Sequence, residues 1–253
     1  MSALAKAVNL RFEQLKERQW ISSERMRKFQ FQQLQLLVSY CERHSPYFGK
    51  RLSAAHLTID QVSTPSGLTE LPPLSRRHLQ EGGDPFYCKE IPANHGAIYK
   101  AKTSGSTGEP VVVQKTGLNQ LNWFATSLLD HHWHQRDFNG RLCAIRPAIQ
   151  TYTQQVNWGL PANLLFKTGP SLGLPITTDI KQLAEWILEF QPTNILIYPS
   201  LLKALTEYCV KHAYAFTQLD HIRTLGETLS QETRQQLRQS SIRKWKIFIH
   251  PRK

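Results

Sequence analysis

Strand-like and helix-like segments alternate through the second half of the chain, and this alternation restricts the fold more than any other feature of the sequence. The predicted helices cover residues 119–134, 180–190, 201–212 and 230–238, and the predicted strands cover residues 142–145, 194–198, 222–225 and 245–249. Neighbouring parallel strands need a crossover between them, which is usually a helix. The sequence therefore predicts an α/β fold with a mixed, largely parallel sheet that is covered by helices.

The first half of the chain follows a different pattern. Residues 4–43 have the apolar spacing of two helices separated near residues 20–23, and Ser23 is a candidate N-cap of the second helix. Prolines and glycines divide the following stretch into turns and short pieces. Residues 97–101 and 111–113 then predict the two strands of a β-hairpin. A helical N-terminal segment is thus expected to precede the α/β part.

Length and pattern together predict a single domain in three parts. A chain of 253 residues, 40% of them hydrophobic, can bury a substantial core. We assign residues 1–95 to a helical and wrapping N-terminal segment and residues 96–239 to an α/β core. Residues 240–253 form an atypical basic tail.

The positive charge of the chain is concentrated at its two ends. The net charge is +12 overall, but residues 1–51 carry +6 and residues 234–253 carry +7, while the remainder carries −1. A nucleic-acid partner is not expected, because such proteins place basic residues along a folded binding surface. The four cysteines are far apart and do not have metal-ligand spacing. The sequence has neither a signal-peptide pattern nor an apolar run of membrane-spanning length, so we expect a cytoplasmic protein without a membrane partner.

Glycine and hydroxyl residues are concentrated between the two strands of the predicted hairpin. They are Thr103, Ser104, Gly105, Ser106, Thr107 and Gly108. Glycine lets the backbone approach a ligand closely, and hydroxyl groups add donors to a nest of backbone N–H groups. The pattern favours a phosphate-binding loop over its alternative, an ordinary turn between two strands. The loop is not of the Walker type, because Glu109 and Pro110 follow it instead of Lys and Ser or Thr.

Residues 103–110 resemble the phosphate-loop signature of the adenylate-forming enzymes, Ser/Thr-Ser-Gly-Ser/Thr-Thr-Gly-X-Pro, at all eight positions. Within that superfamily the chain is most similar to the phenylacetate–coenzyme A ligase-like branch, which includes capsule-biosynthesis and coenzyme F390 synthetase-like proteins. Further segments that resemble this branch occur in its order along the chain, two before the motif and two after it, namely residues 44–48, 71–76, 198–200 and 226–227. The resemblance covers roughly residues 40 to 235.

The resemblance implies a reaction and the groups that take part in it. Complete relatives activate a carboxylic acid with ATP and magnesium to give an acyl adenylate and pyrophosphate, and many pass the acyl group to a thiol such as coenzyme A. The residues from Thr103 to Gly108 would hold the ATP phosphates. Gly226 and Glu227 would form the turn beside the adenine, and Tyr198 and Pro199 would border the acyl-substrate pocket.

Simpler explanations exist for several of these residues. Gly226 could be a helix-entry turn with Glu227 near a helix N-terminus, and Tyr198 could be a core residue before a helix that starts at Pro199. Residues 131–134 contain three histidines, but neighbouring residues of a helix point in different directions, so we expect no metal site there. One of these histidines could instead touch the acyl substrate. We assign no catalytic residue.

The resemblance also shows what this sequence lacks. The family continues into an aromatic-Gly-Ser/Thr-x-Glu segment that helps to hold magnesium, an Asp that holds ribose, and a C-terminal lid that carries a Lys. We find none of these here, and residues 240–253 depart from the family. We therefore expect an incomplete domain, an ATP-binding portion that is inactive alone because of a frameshift or premature stop. The alternative is a non-catalytic nucleotide- or partner-binding module, which could work with a separately encoded C-terminal half.

Overall fold

The computed structural model describes residues 1–64, 66–81, 83–102, 110–239 and 246–249. The chain divides into two compact units. The helical unit comprises Lys6–Thr126, and the sheet unit comprises Met1–Ala5 together with Ser127–Lys253. The domain boundaries expected at residues 95 and 239 remain predictions. Within the described ranges, every helix is too short or too polar to cross a lipid bilayer.

Helices dominate the first part of the chain, as the sequence predicts. They are α1 (Ala3–Arg18), α2 (Ser23–His44), α3 (Pro46–Ala54), α4 (Ile59–Val62), α5 (Gly67–Glu70) and α6 (Arg76–Glu81). The break between α1 and α2 is confirmed, but the predicted N-cap is wrong by one residue. Ser22 has the non-helical backbone of a cap and its hydroxyl accepts a hydrogen bond from the N–H of Arg25 at 3.3 Å, whereas Ser23 is already helical.

The helical unit has its own core and a segment that lies along α2. Val38, Leu52, Val62 and Leu71 are buried together. The Tyr40 hydroxyl donates to the carbonyl oxygen of Glu90 at 2.6 Å, and the N–H of Lys89 donates to the carbonyl oxygen of His44 at 2.8 Å. These bonds hold the irregular chain before the hairpin against the C-terminal part of α2.

The predicted hairpin is confirmed. Strands β1 (Ile98–Lys102) and β2 (Val112–Thr116) pair antiparallel, with Lys102 opposite Val112. Helix α7 (Gly117–Trp133) follows β2 directly and runs into the sequence of the sheet unit. At its start the N–H of Thr116 donates to Oδ1 of Asn119, and the N–H of Asn119 donates to the Thr116 hydroxyl. The predicted phosphate-binding residues 103–108, which come between β1 and β2 in the sequence, lie outside the described residues.

The sheet unit contains a six-stranded sheet with interspersed helices. Its elements are β3 (Leu142–Ile145), β4 (Thr153–Gln155), β5 (Ser171–Leu174), α8 (Ile180–Phe190), β6 (Asn194–Ile197), α9 (Pro199–Lys211), β7 (His221–Thr224), α10 (Gln231–Gln239) and β8 (Lys246–Ile249). The strand order is β4-β5-β3-β6-β7-β8, and all neighbours pair parallel except β4 with β5. The prediction of a mixed, largely parallel sheet in an α/β fold is confirmed.

Two strands were not predicted. β5 has four residues between Pro170 and Pro175 and contains Gly173, so it lacks the β-branched run that identifies a strand in a sequence. β4 has three polar residues, all exposed, and pairs only with β5 at the edge of the sheet. Tertiary pairing, and not local sequence preference, therefore defines both strands.

The two faces of the sheet differ in burial. One face is fully buried and includes Cys143, Ile145, Ile195, Ile197 and Ile222, which pack with residues of α8 and α9. Each such buried aliphatic side chain contributes roughly 1.5–3 kcal/mol. On the opposite face, the row formed by Ala144, Leu196 and Arg223 is only half-buried. We call this second side the open face.

Candidate functional site

The carboxyl ends of β6 and β7 bring two of the predicted site segments together. The strands are parallel, with Ile197 opposite Thr224. The N–H of Leu225 donates to the carbonyl oxygen of Ile197 at 3.3 Å, so the pairing extends one residue beyond β7. Tyr198 and Gly226 therefore leave the sheet at the same edge, where ligands of open α/β sheets bind.

Gly226 packs directly against the ring of Tyr198. The backbone of Gly226 has φ +78°, and a Cβ added there would lie 2.5 Å from Cε1 of Tyr198. Two features therefore favour glycine at this position, the left-handed backbone and the close approach of the Tyr198 ring. Tyr198 itself is half-buried, while Pro199 is buried as the first residue of α9.

The side chain of Glu227 accepts hydrogen bonds from Ser200 at the start of α9. Its Oε2 accepts from the N–H of Ser200 at 2.8 Å, and its Oε1 accepts from the Ser200 hydroxyl at 3.0 Å. A carboxylate is favourable at this place because the first N–H groups of a helix carry partial positive charge. Both oxygens of Glu227 therefore accept a hydrogen bond from Ser200, and these two bonds hold the carboxylate at the start of α9.

A second group of polar residues joins two of the histidines considered in the sequence to residues that were not predicted as site residues. We call it the charged cluster, and it consists of Asp130, His131, His134, Arg136 and Arg223. Oδ2 of Asp130 lies 2.7 Å from Nη1 of Arg136 and 3.2 Å from Nη2 of Arg223. The carboxylate of Asp130 and the guanidinium of Arg136 are both buried. One signal was visible in the sequence, since Arg223 is a charged residue inside a predicted strand.

Burial and charge shift the pKa of three members of the charged cluster. Burial alone would raise the pKa of Asp130, but Arg223 and Arg136 outweigh it and lower that pKa. Burial, and then Arg136 and Arg223, lowers the pKa of His131 from 6.5 to about 3. Burial also lowers the pKa of Arg223, against the opposing effect of Asp130. At neutral pH His131 is therefore uncharged, and the cluster consists of one carboxylate and two guanidinium groups beside His134.

The three histidines considered in the sequence have different surroundings. The ring of His131 lies 5.4 Å from the ring of Phe138 and 5.8 Å from that of Trp158. His134 Nδ1 lies 3.4 Å from Oδ1 of Asp130, while His132 is exposed. In the portion of the chain that the structure describes, no three His, Cys, Asp or Glu side chains are arranged to hold a metal ion.

Comparison with solved structures shows that a CoA ligase has a similar fold. No protein-family model and no curated protein matches the sequence. A solved structure of 2-hydroxyisobutyryl-CoA ligase in complex with 2-HIB-AMP and CoA, in the thioesterification state, has a TM-score of 0.65 and 17% identity, and the match covers 90% of this chain and 49% of that one.

Two other structures of that ligase give similar results. An open conformation with 2-HIB-AMP and CoA has a TM-score of 0.64 and 15% identity, covering 90% of this chain and 54% of that one. A postadenylation state with 2-HIB-AMP has a TM-score of 0.62 and 14% identity, covering 92% and 50%. The chain thus spans about half the length of these ligases. Its fold matches part of the large N-terminal domain of adenylate-forming enzymes.

Proposed function

We propose that this chain is the ATP-binding portion of an adenylate-forming carboxylic acid–coenzyme A ligase-like protein, of the phenylacetate–coenzyme A ligase-like branch. One observation carries the proposal. The eight-position phosphate-loop motif occupies the connection between β1 and β2 in a chain that has the fold of an acyl-CoA ligase over about half of that ligase's length. A chance Gly/Ser turn would not be expected to coincide with this fold.

The proposed roles follow the order of the reaction. Residues 103–108 hold the β and γ phosphates through backbone N–H groups and hydroxyls, and the turn at Gly226 and Glu227 lies beside the adenine. Tyr198 and Pro199 border the acid. Binding in this way aligns the acid's carboxylate oxygen with the α-phosphorus, a new P–O bond forms, and pyrophosphate leaves with the electrons of the broken bond. Transfer of the acyl group to coenzyme A is a further step of the whole protein.

We assign no described residue to magnesium, which the family resemblance implies. Glu227 is the carboxylate of the proposed adenine turn, and both its oxygens accept hydrogen bonds from Ser200. In the described parts of the chain, no cluster of three candidate metal ligands exists. We therefore assign no step to the metal. We predict that the 253-residue protein binds ATP but shows little acid-dependent ATP–pyrophosphate exchange without a C-terminal half.

Calorimetric titration of ATP into the purified chain tests the proposal. We expect saturable binding that weakens at least about tenfold in a Ser104→Ala/Thr107→Ala variant, since hydrogen bonds to a charged group contribute roughly 1.5–3 kcal/mol each. A Ser53→Ala/Thr217→Ala variant removes the same groups from exposed positions elsewhere and should bind ATP like the parent. Absence of ATP binding by the folded protein, or an equal loss in both variants, would refute the proposal.

Pyrophosphate exchange separates the two functions that remain after ATP binding is established. Exchange of labelled pyrophosphate into ATP that depends on an added acid would identify a working adenylating enzyme and refute the prediction of inactivity. ATP binding without exchange would leave two candidates, a ligase portion and a non-catalytic nucleotide-binding module. Restored exchange on addition of the matching C-terminal half of a relative would identify the ligase portion.

A further inference from the structure

Arginine side chains are concentrated at the carboxyl end of the open face. Ala144, Leu196 and Arg223 are opposite one another on β3, β6 and β7, so they lie in one row on the same side of the sheet. Arg146 follows β3 two residues after Ala144, and its N–H still bonds to the carbonyl oxygen of Leu174 in β5. Because side chains alternate along a strand, Arg146 belongs to the same side as Arg223.

This face carries more positive than negative charge. Arg136 and Arg223 share a single oxygen of Asp130, and Arg146 adds a third guanidinium. The charges that act on the pKa of Arg223 are one carboxylate, Asp130, and two guanidiniums, Arg136 and Arg146. With His131 uncharged, one negative charge therefore faces three permanent positive charges. The imbalance lies where the sheet is half-buried, so screening by water is reduced.

Arg223 is available to an external partner, whereas Arg136 is not. The Arg136 side chain is 3% exposed and points Nη1 at Asp130 at 2.7 Å. The Arg223 side chain is 23% exposed and contacts Asp130 through Nη2 alone, at the longer distance of 3.2 Å. A guanidinium has five N–H donors in a planar fork, which suits a carboxylate. Arg146 is exposed on the same side.

The surroundings of the two arginines restrict the ligand. Ala144 is small and lies in the row that ends at Arg223, Leu196 supplies apolar surface between them, and Tyr198 follows β6 on the same side. A ligand there meets a short apolar floor with positive charge at two places. A short carbon chain that ends in a carboxylate has this combination of properties.

We infer that Arg146 and Arg223 bind a second carboxylate of the acid substrate, so that the acid is a short dicarboxylate and not a purely apolar acid. The inference rests on the proposed function, because Tyr198 is taken to border the acid. The bound carboxylate keeps its charge through the reaction. The other carboxylate attacks the α-phosphorus of ATP and becomes the acyl adenylate, and pyrophosphate leaves.

Calorimetric titrations of succinate and glutarate, each compared with the monocarboxylate of equal length, butyrate or valerate, test this inference. We expect each dicarboxylate to bind about tenfold or more tightly than its partner, from the known strength of charge-assisted hydrogen bonds. Arg223→Gln and Arg146→Gln should each remove most of that preference. Arg146 is exposed, so its variant should fold even if the loss of the Arg223–Asp130 contact destabilises the other.

Arg234→Gln is the matched control, because it makes the same substitution on α10. It should keep the full preference for dicarboxylates. Equal binding of di- and monocarboxylates, or an equal loss in the Arg234 variant, would overturn the inference. Inorganic phosphate or coenzyme A that competes as strongly as glutarate would also overturn it, since the anion would then be a phosphate.

ATP titrated into the same samples distinguishes the two ideas. ATP binding without any preference for dicarboxylates would refute only the assignment of the acid. Failure to bind ATP would refute the proposed function whatever the dicarboxylates do. ATP binding together with an Arg146- and Arg223-dependent preference would support both.

Discussion

Acid should destabilise this protein through His131, and the structure gives the size of the effect. The ring of His131 packs against those of Phe138 and Trp158, and its Nδ1 lies 3.3 Å from Nη1 of Arg136. In this geometry the neutral ring accepts a hydrogen bond from the guanidinium, and protonation would replace that bond with repulsion. Burial, and then the charges of Arg136 and Arg223, lowers the pKa of His131 from 6.5 to about 3.

The sign and size of the effect follow from the two pKa values. Because the pKa in the folded state is the lower one, the unfolded chain binds the proton more tightly at every pH between 3 and 6.5. The stability linked to His131 is therefore fully present above pH 6.5 and decreases as the pH falls toward 3. Between pH 7 and pH 5 the loss is about 2 kcal/mol, at 1.36 kcal/mol for each unit of pKa.

Urea unfolding at pH 7 and pH 5, with the parent and His131→Gln compared, measures this contribution. Glutamine keeps an acceptor for Arg136 but cannot be protonated, so the variant should lose about 2 kcal/mol less than the parent. Other titrating groups are common to both proteins and cancel in the difference. His212→Gln, at an exposed ring that stacks on Tyr208, should behave like the parent. An equal loss in the parent and His131→Gln would refute the reasoning.

Three further predictions concern the free energy of unfolding, measured with urea. Gly226→Ala should lower the free energy of unfolding by about 2–3 kcal/mol, because the added Cβ meets the Tyr198 ring and φ is +78°. The same substitution should cost less in a Tyr198→Ala background, and an unchanged cost there would refute the proposed clash with the ring. Ser200→Ala and Glu227→Gln should each cost about 1 kcal/mol. The double variant should cost less than the sum of the two, since both substitutions break the same interaction, and strictly additive costs would refute this. Asp130→Asn should cost roughly 3–5 kcal/mol, because it removes the negative charge beside the buried Arg136 guanidinium, and a neutral effect would refute the proposed role of that carboxylate.

Sequence patterns predicted the elements whose local signals agree with their tertiary role. Helix α8 was predicted with its correct bounds, because Asp179 caps it and Leu183, Ala184 and Ile187 recur on one face and are all buried. Strand β5 was missed because its place in the sheet comes from pairing with β3 and β4, which short-range patterns do not contain.

The candidate site was likewise predictable only in part. The rule that parallel strands present their carboxyl ends at one edge was enough to expect Tyr198 and Gly226 near each other. It was not enough to find the bond between Glu227 and Ser200, which are 27 residues apart. Nor did any spacing connect Asp130 on α7 with Arg223 on β7, since ion pairs between distant elements have no periodic signature.

The two faces of the sheet explain this difference between what was predicted and what was missed. The buried face has apolar residues at every second position of its strands, and this period can be recognised in a single sequence. The open face instead places a charged residue, Arg223, in the middle of a strand. A half-buried guanidinium is costly unless anions are close to it, and Asp130 provides one oxygen that Arg136 already holds more closely. The positive charge that remains on Arg223 and Arg146 is thus left unmatched by a monocarboxylic acid, whose one carboxylate reacts with ATP, and is offset by a second carboxylate.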